Sequence, residues 1–285
     1  MAEQGQARVS NKKRGCREMP ELYSWLLDQY AELAAAMQFL TILSLPGPTQ
    51  HFETGTGTTS SSPRLVLGSG YFSLVGLLLG LLLALLLLLL DPLLPRLVVA
   101  ALLVVALVLL TGGLHLDGLM DSCDGLFGGR TRERRLEIMR DSRVGSFGVL
   151  GGVCTLLLKF ACFASLAQHA LFVALLVVLP SARWAMVLAL RIFPSARPGG
   201  LGATFRQSIN LQRLALAGSI ALLIAVVIGH LAGVLIWITA TLTAIVLGSW
   251  ITRRIGGLTG DTYGAIAEIT EVVTLLLLVF LRSWL

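Results

Sequence analysis

The sequence predicts an all-α, polytopic integral membrane protein with about seven transmembrane helices plus an N-terminal amphipathic or re-entrant helix. Three observations predict it. Of 285 residues, 55% are hydrophobic and only 13% charged, about half the charged share of a soluble domain. The mean hydropathy is +0.82. Apolar runs of about 20 residues, the length that crosses the hydrocarbon core, recur along the chain. A water-soluble globule of this size could not hide so much apolar surface. Disorder needs low hydrophobicity and is excluded for most of the chain.

Residues 1–20 are polar and basic, with Lys12, Lys13, Arg14 and Arg17, and are expected to form a disordered tail. They lack the apolar core of a signal peptide. Residues 21–285 are expected to form one membrane-embedded domain. Leu22, Trp25, Leu26, Tyr30 and Leu33 recur at helical spacing, with Glu21, Asp28 and Glu32 on other faces. That pattern suits an amphipathic helix on the membrane surface. The AAAMQFLTIL run then dips toward the bilayer until Pro46 and Pro48 stop it. The Thr-, Ser- and Gly-rich stretch within 47–68 is expected to be a flexible loop.

The spans follow. Tyr71–Leu90 carries no charge, and Asp91, Pro92, Pro95 and Arg96 make a tight turn into Leu97–Leu114. Val144–Ala167 contains Lys159, and Ala170–Phe193 contains Arg183 and Arg191. Leu214–Ile228 and Leu231–Gly248 read as a hairpin joined near Gly229 and His230, and Ala265–Leu285 carries Glu268 and Glu271. The positive charges sort by side. The tail, the arginines of 115–143, Arg197, Arg206, Arg213, Arg253 and Arg254 fall on one side, with Arg96 and Arg282 on the other. The positive-inside rule makes the crowded side cytoplasmic. The net charge of +6 is explained by that topology, so no nucleic-acid partner is expected. Four cysteines without a CxxC pair indicate neither a disulfide framework nor a zinc site.

Polar chemistry is densest in TGGLHLDGLMDSCDGLFGGRTRERRLEIMRDSRVGSFG, residues 111–148. Asp117, Asp121 and Asp124 stand at i, i+4 and i+7, which puts three carboxylates on one helix face. Like charges so close repel, and a divalent cation removes the penalty. All-oxygen donors favour Mg²⁺. An acidic, solvated face is the plainer alternative. Arg132, Arg134 and Arg135 equally suit anionic lipid headgroups. Arg140 and Arg143, with the Gly-containing helix start of DSRVGSFG, suit phosphate binding through guanidinium and backbone N–H groups. Arg183, Arg191 and Arg197 lie near a Gly-rich stretch. Asp261, Glu268 and Glu271 share a helix face in GGLTGDTYGAIAEITE. Two glutamates in an apolar segment must face a polar cavity, a metal or an arginine; pairing with Arg183 or Arg191 is the structural alternative, and a structural role is likewise the alternative for Lys159. His115 is a minor candidate for proton transfer. Cys123 reads as a small helix residue.

These stretches resemble the cobalamin synthase (adenosylcobinamide-GDP ribazoletransferase) family. The resemblance is carried by FLTILSLP (39–46), YFSLVGLLLG (71–80), TGGLHLDGLMDSCDGLFGG (111–129), RRLEIMRDSRVGSFG (134–148), ARWAMVL through ARPGGLG, and GGLTGDTYGAIAEITE (256–271). They come in the family's order and cover the chain from about residue 35 onward. Ile42 stands where members often carry Arg, and Ser44 and Ser73 where they often carry Pro, but no acid is lost.

The resemblance implies a membrane phosphotransferase, with 21–285 as its catalytic domain. It would transfer the adenosylcobinamide phosphate moiety of adenosylcobinamide-GDP to α-ribazole or α-ribazole 5′-phosphate. It would release GMP at the cytoplasmic face of a prokaryotic inner membrane. Mg²⁺ is the expected cofactor, on ligands drawn from Asp117, Asp121, Asp124, Glu268 and Glu271. Arg140, Arg143, Arg183, Arg197, Lys159 and Asp261 are expected to bind substrate. Asp121, Asp124, Glu268 or His115 would handle the hydroxyl proton. A homo-oligomer, or a complex with other corrinoid-pathway enzymes, stays open. Two alternatives are weighed. CDP-alcohol phosphotransferases space their acids more widely than DGLMDSCDG. An ion-coupled transporter would carry its carboxylates at mid-membrane within internal repeats, and no repeat is evident here.

Overall fold

The structure, a computed structural model, describes residues 21–45, 68–197 and 206–281. The expected tail, 1–20, and all but the last residue of the expected loop, 47–68, lie outside them. The described residues are helical, with a single parallel bridge between Ser195 and Leu258. In chain order the helices are α1 (Glu21–Leu40), α2 (Phe72–Leu90), α3 (Arg96–Leu110), α4 (Leu114–Gly128), α5 (Arg132–Ile138), α6 (Ser146–Ser165), α7 (Gln168–Ile192), α8 (Leu211–Ile255) and α9 (Gly260–Leu281). A 3₁₀ turn, Ser69–Tyr71, leads into α2.

Among the described residues, five helices are long and apolar enough to cross a membrane. α3 and α4 pass the same length and hydropathy test only when taken together, across an 87° bend that marks a broken span or a re-entrant loop. α8 is itself interrupted at His230, where φ is 48° and ψ is −133°. Its two arms are antiparallel. A Cβ at Gly233 would strike the carbonyl oxygen of Ala225. Trp184 meets Gly218 of the first arm, stacks on Trp237 of the second and donates its indole N–H to Thr241 Oγ1 at 3.0 Å. The described residues thus hold five or six candidate crossings where the apolar runs predict about seven spans, and the joint in α8 falls at the expected place. The chain is a multi-pass membrane protein.

One boundary differs. The expected span Leu97–Leu114 ends at Leu110, because Gly112 and Gly113 take φ of +59° and +70°. Glycine adopts that left-handed geometry at little cost. The turn sends the acidic segment off as a separate helix instead of prolonging the span.

α7 is the axis of the bundle. It is apolar nearly all round and buried nearly all round, as such a helix must be. α2, α8 and α9 pack around it. α1 is half-docked: Ala36, Met37 and Leu40 are buried, while Tyr23, Trp25 and Leu26 near its start are exposed. Glu32 of α1 pairs with Arg213 of α8 at 2.5 Å.

Three connections meet at one end of the bundle. Leu258 N–H donates to Pro194 O, and Ala196 N–H to Leu258 O, both at 2.8 Å. Arg132 Nε donates to Ile255 O at 2.8 Å and its Nη2 to Ala196 O at 3.2 Å. Arg135 reaches Arg254 O, and Arg197 reaches Leu136 O. The turn before α3, the α6–α7 turn and the His230 joint occupy the opposite end.

Candidate functional site

α4 is the spine of the site. It runs antiparallel to the first turns of α6 and α9, and glycines allow the approach. A Cβ at Gly118 would sit 2.7 Å from Asp261 O, and one at Gly264 would sit 3.0 Å from His115 O. Nothing larger than hydrogen fits at either crossing. The α4 acids therefore lie beside the start of α9.

The acids of α4 divide by what they face. Asp124 is buried. Its Oδ2 accepts the N–H of Gly145 at 2.7 Å and its Oδ1 that of Gly148 at 2.8 Å. It caps α6, satisfying N–H groups that a helix start leaves orphaned. This corrects the expectation that the DSRVGSFG helix start binds phosphate through its backbone, since a carboxylate of the chain itself already holds those N–H groups. Asp117 is exposed and Asp121 half-buried. Asp121 lies within electrostatic range of Asp117, Asp261 and Asp124. Asp261 Oδ2 accepts from Thr259 Oγ1 at 3.2 Å. Among the described residues no salt bridge engages Asp117, Asp121 or Asp261.

The glutamates lie elsewhere. Lys159 Nζ of α6 reaches Glu268 Oε2 at 2.6 Å and Glu271 Oε2 at 2.5 Å. Arg183 of α7 pairs with the other oxygen of Glu271. All four side chains are buried. The structure thus pairs Glu271 with Arg183, the structural alternative raised for it, and adds Lys159 as the partner of both glutamates. It does not bring them to the aspartates, nor Lys159 and Arg183 to the open end. Burying four charges is tolerable because each cation has an anionic partner.

The arginines also divide. Arg132 and Arg135 donate to backbone carbonyls and fasten the connections together, instead of facing headgroups. Arg134 pairs with Glu137 at 2.8 Å on the surface. Arg143 clasps Asp141 through Nε and Nη2, the latter at 2.7 Å. That clasp holds the Asp141 carboxyl well below the usual range, at about 2. Arg140 and Arg197 lie within electrostatic range of each other, and Arg197 of Asp261. So Arg140, Arg197 and Asp261 come together as expected.

Behind Asp117 and Asp261 lies a cavity of about 130 Å³. Phe39, Phe72, Met186, Leu190 and Tyr263 are among the residues of its wall, as is His115. Sequence reasoning missed the aromatic members. Phe39 and Phe72 sit inside the quoted motifs, but only folding brings α1 and α2 to α4. His115 is buried and neither ring nitrogen has a partner in the structure.

The donor set can be tested against a divalent cation. Among the described residues no three acid, histidine or cysteine side chains stand close enough to hold one ion. Magnesium does not require that. It is usually held by one or two carboxylates, with substrate phosphates and water completing the shell. Asp117, Asp121 and Asp261, all oxygen donors without a cationic partner, fit that requirement. Asp124, Glu268 and Glu271 are engaged elsewhere.

The family model described as cobalamin-5-phosphate synthase matches residues 32–279. A curated relative from Roseiflexus sp. (strain RS-1), named adenosylcobinamide-GDP ribazoletransferase, is 41% identical over 86% of this chain and 88% of its own length. Relatives of the same name come from Desulfitobacterium hafniense (strain Y51) and Desulforamulus reducens. They are 41% and 37% identical, over 86% and 87% of this chain and 95% and 97% of their own. No solved structure matches.

Proposed function

The chain belongs to the cobalamin-5-phosphate synthase family, and on that premise we propose that it transfers the adenosylcobinamide phosphate moiety of adenosylcobinamide-GDP to α-ribazole or its 5′-phosphate. A ribose hydroxyl attacks the phosphorus attached to the corrinoid side chain. The pyrophosphate bond breaks, GMP leaves with the bond's electrons, and the hydroxyl proton passes to a base. The observation that carries the reading is the set of carboxylates Asp117, Asp121 and Asp261 gathered at the α4–α9 junction, with Arg197 within electrostatic range of Asp261 and of Arg140. Acids for a metal beside guanidinium groups for phosphate are the parts of a phosphoryl-transfer site.

Mg²⁺, when bound, would offset the charge of the pyrophosphate and the departing GMP. Asp117 and Asp261 would hold it. Arg197 and Arg140 orient phosphate oxygens by charge-assisted hydrogen bonds. Asp124 has both oxygens engaged and Glu268 is paired with Lys159 in the buried quartet, which leaves Asp121 as the acid best free to accept the proton. The carboxylates and arginines gather at the end of the bundle that carries most of the basic residues. By the positive-inside rule that end faces the cytoplasm, and the membrane is the inner membrane of a prokaryote.

The test is incubation of the membrane-inserted protein with adenosylcobinamide-GDP, α-ribazole and Mg²⁺. GMP should appear in step with the joined corrinoid. No GMP from correctly inserted protein would reject the activity.

A further inference from the structure

The wall of the cavity behind Asp117 and Asp261 is chemically lopsided. The Phe39 and Phe72 rings stack with centroids 5.9 Å apart and planes only 16° from parallel. Met186 and Leu190 of α7 continue that apolar surface. At the far side the Tyr263 hydroxyl, on a side chain 4% exposed, has no hydrogen-bond partner, and neither ring nitrogen of His115 has one. Buried polar groups are nearly always satisfied, and leaving one unsatisfied costs about 1–3 kcal/mol. Unsatisfied donors lining an open cavity point to a ligand atom.

We propose that this cavity receives the heteroaromatic base of the ribazole acceptor. The base packs against the wall made by the Phe39–Phe72 stack, and the Tyr263 hydroxyl donates to the ring nitrogen not bonded to the sugar. The proposal rests on the ribazoletransferase reading and names which substrate enters from which side.

Three arguments select this occupant. A benzimidazole base is flat, largely apolar and has one free acceptor nitrogen, which matches an aromatic wall with a polar edge. Guanine carries donors and acceptors around its edge and would leave most of them unsatisfied against Phe39, Phe72, Met186 and Leu190. The corrin ring with its amide side chains is too broad for the space. The position of the acids adds the third argument. Asp117 and Asp261 line the same cavity, so a base seated there would leave its ribose hydroxyl beside the carboxylates.

The experiment uses the full chain in lipid nanodiscs. Binding of α-ribazole alone is measured by equilibrium dialysis, and KM is measured separately for α-ribazole and adenosylcobinamide-GDP. Tyr263→Phe, which keeps the ring, is expected to weaken α-ribazole binding about fivefold, the worth of one hydrogen bond. Phe72→Ala is expected to weaken it about tenfold or more. Both should leave KM for adenosylcobinamide-GDP within about twofold. Should Phe72→Ala fail to fold, Tyr263→Phe decides. Unchanged α-ribazole constants in folded Tyr263→Phe, or a raised KM for the corrinoid substrate instead, would overturn the assignment. Failure of the wild type to release GMP would strike the activity itself, and dialysis with α-ribazole would still report on the cavity.

Discussion

Asp124 accepts the backbone N–H of Gly148 at 2.8 Å, tying the middle of α4 to the first turn of α6. With the bond to Gly145, the carboxylate acts as a rivet between two helices. Asp124→Ala should destabilise the protein by about 3 kcal/mol, since two hydrogen bonds to a charged group are lost. Gly148→Ala should destabilise too, because its Cβ would collide with that carboxylate. The two changes should be clearly non-additive in a double-mutant cycle of thermal unfolding in detergent. Additive effects would disprove the direct contact.

Asp121 predicts a different phenotype. Asp121→Asn keeps the size of the side chain and removes no described hydrogen bond. Turnover should fall at least about 100-fold, the typical worth of a positioned base, while the melting temperature stays close to that of the wild type. Near-normal turnover would refute the role.

Metal removal separates the acids further. Chelation should abolish GMP release by the wild type, and added Mg²⁺ should restore it. Asp117→Asn and Asp261→Asn should need much more Mg²⁺ for half-maximal activity, and Glu268→Gln should not. An unaltered Mg²⁺ requirement in both aspartate variants would remove them from the metal site.

Glu271 shares its two oxygens between Lys159 and Arg183. Glu271→Gln leaves two buried cations facing Glu268 alone, and breaking such a pair costs about 3–5 kcal/mol. Adding Arg183→Leu should recover part of that loss. Detergent-solubilised unfolding curves check both, and an unchanged melting temperature for Glu271→Gln would show that the pair is not structural.

Arg132 and Arg135 hold the open end together by bonds to Ile255, Ala196, Gly129 and Arg254 carbonyls. Arg132→Ala should speed proteolysis within 129–145. Arg143→Ala, on an exposed ion pair, should leave the cleavage rate unaltered. Equal rates in all three proteins would contradict the fastening role.

Much of this was legible in the sequence. Apolar length located the crossings, and Gly229-His230 marked the hairpin joint. The acidic motif marked the helix that carries the site. The bend at Gly112-Gly113 was visible as a glycine pair, but composition does not tell a tolerated pair from a left-handed turn. The fate of each acid was not legible. Spacing of i, i+4 and i+7 puts Asp117, Asp121 and Asp124 on one face, but it does not say what crosses that face. α9 lies beside Asp117 and α6 beside Asp124, so one of three similar residues becomes a cap. Glu268 and Glu271 likewise needed the third dimension, since Lys159 and Arg183 stand 88 or more residues away in the chain.

The quartet of Lys159, Arg183, Glu268 and Glu271 carries two charges of each sign and sums to zero. A transmembrane voltage does work only on net charge that moves through it. Ion-coupled carriers leave intramembrane carboxylates uncompensated so that voltage or an ion gradient can act on them. Here the charges inside the bundle cancel locally, so the interior is electrically silent. Turnover should therefore be indifferent to whether the membrane is energised, as suits a catalyst that uses the bilayer as a scaffold and not as a battery.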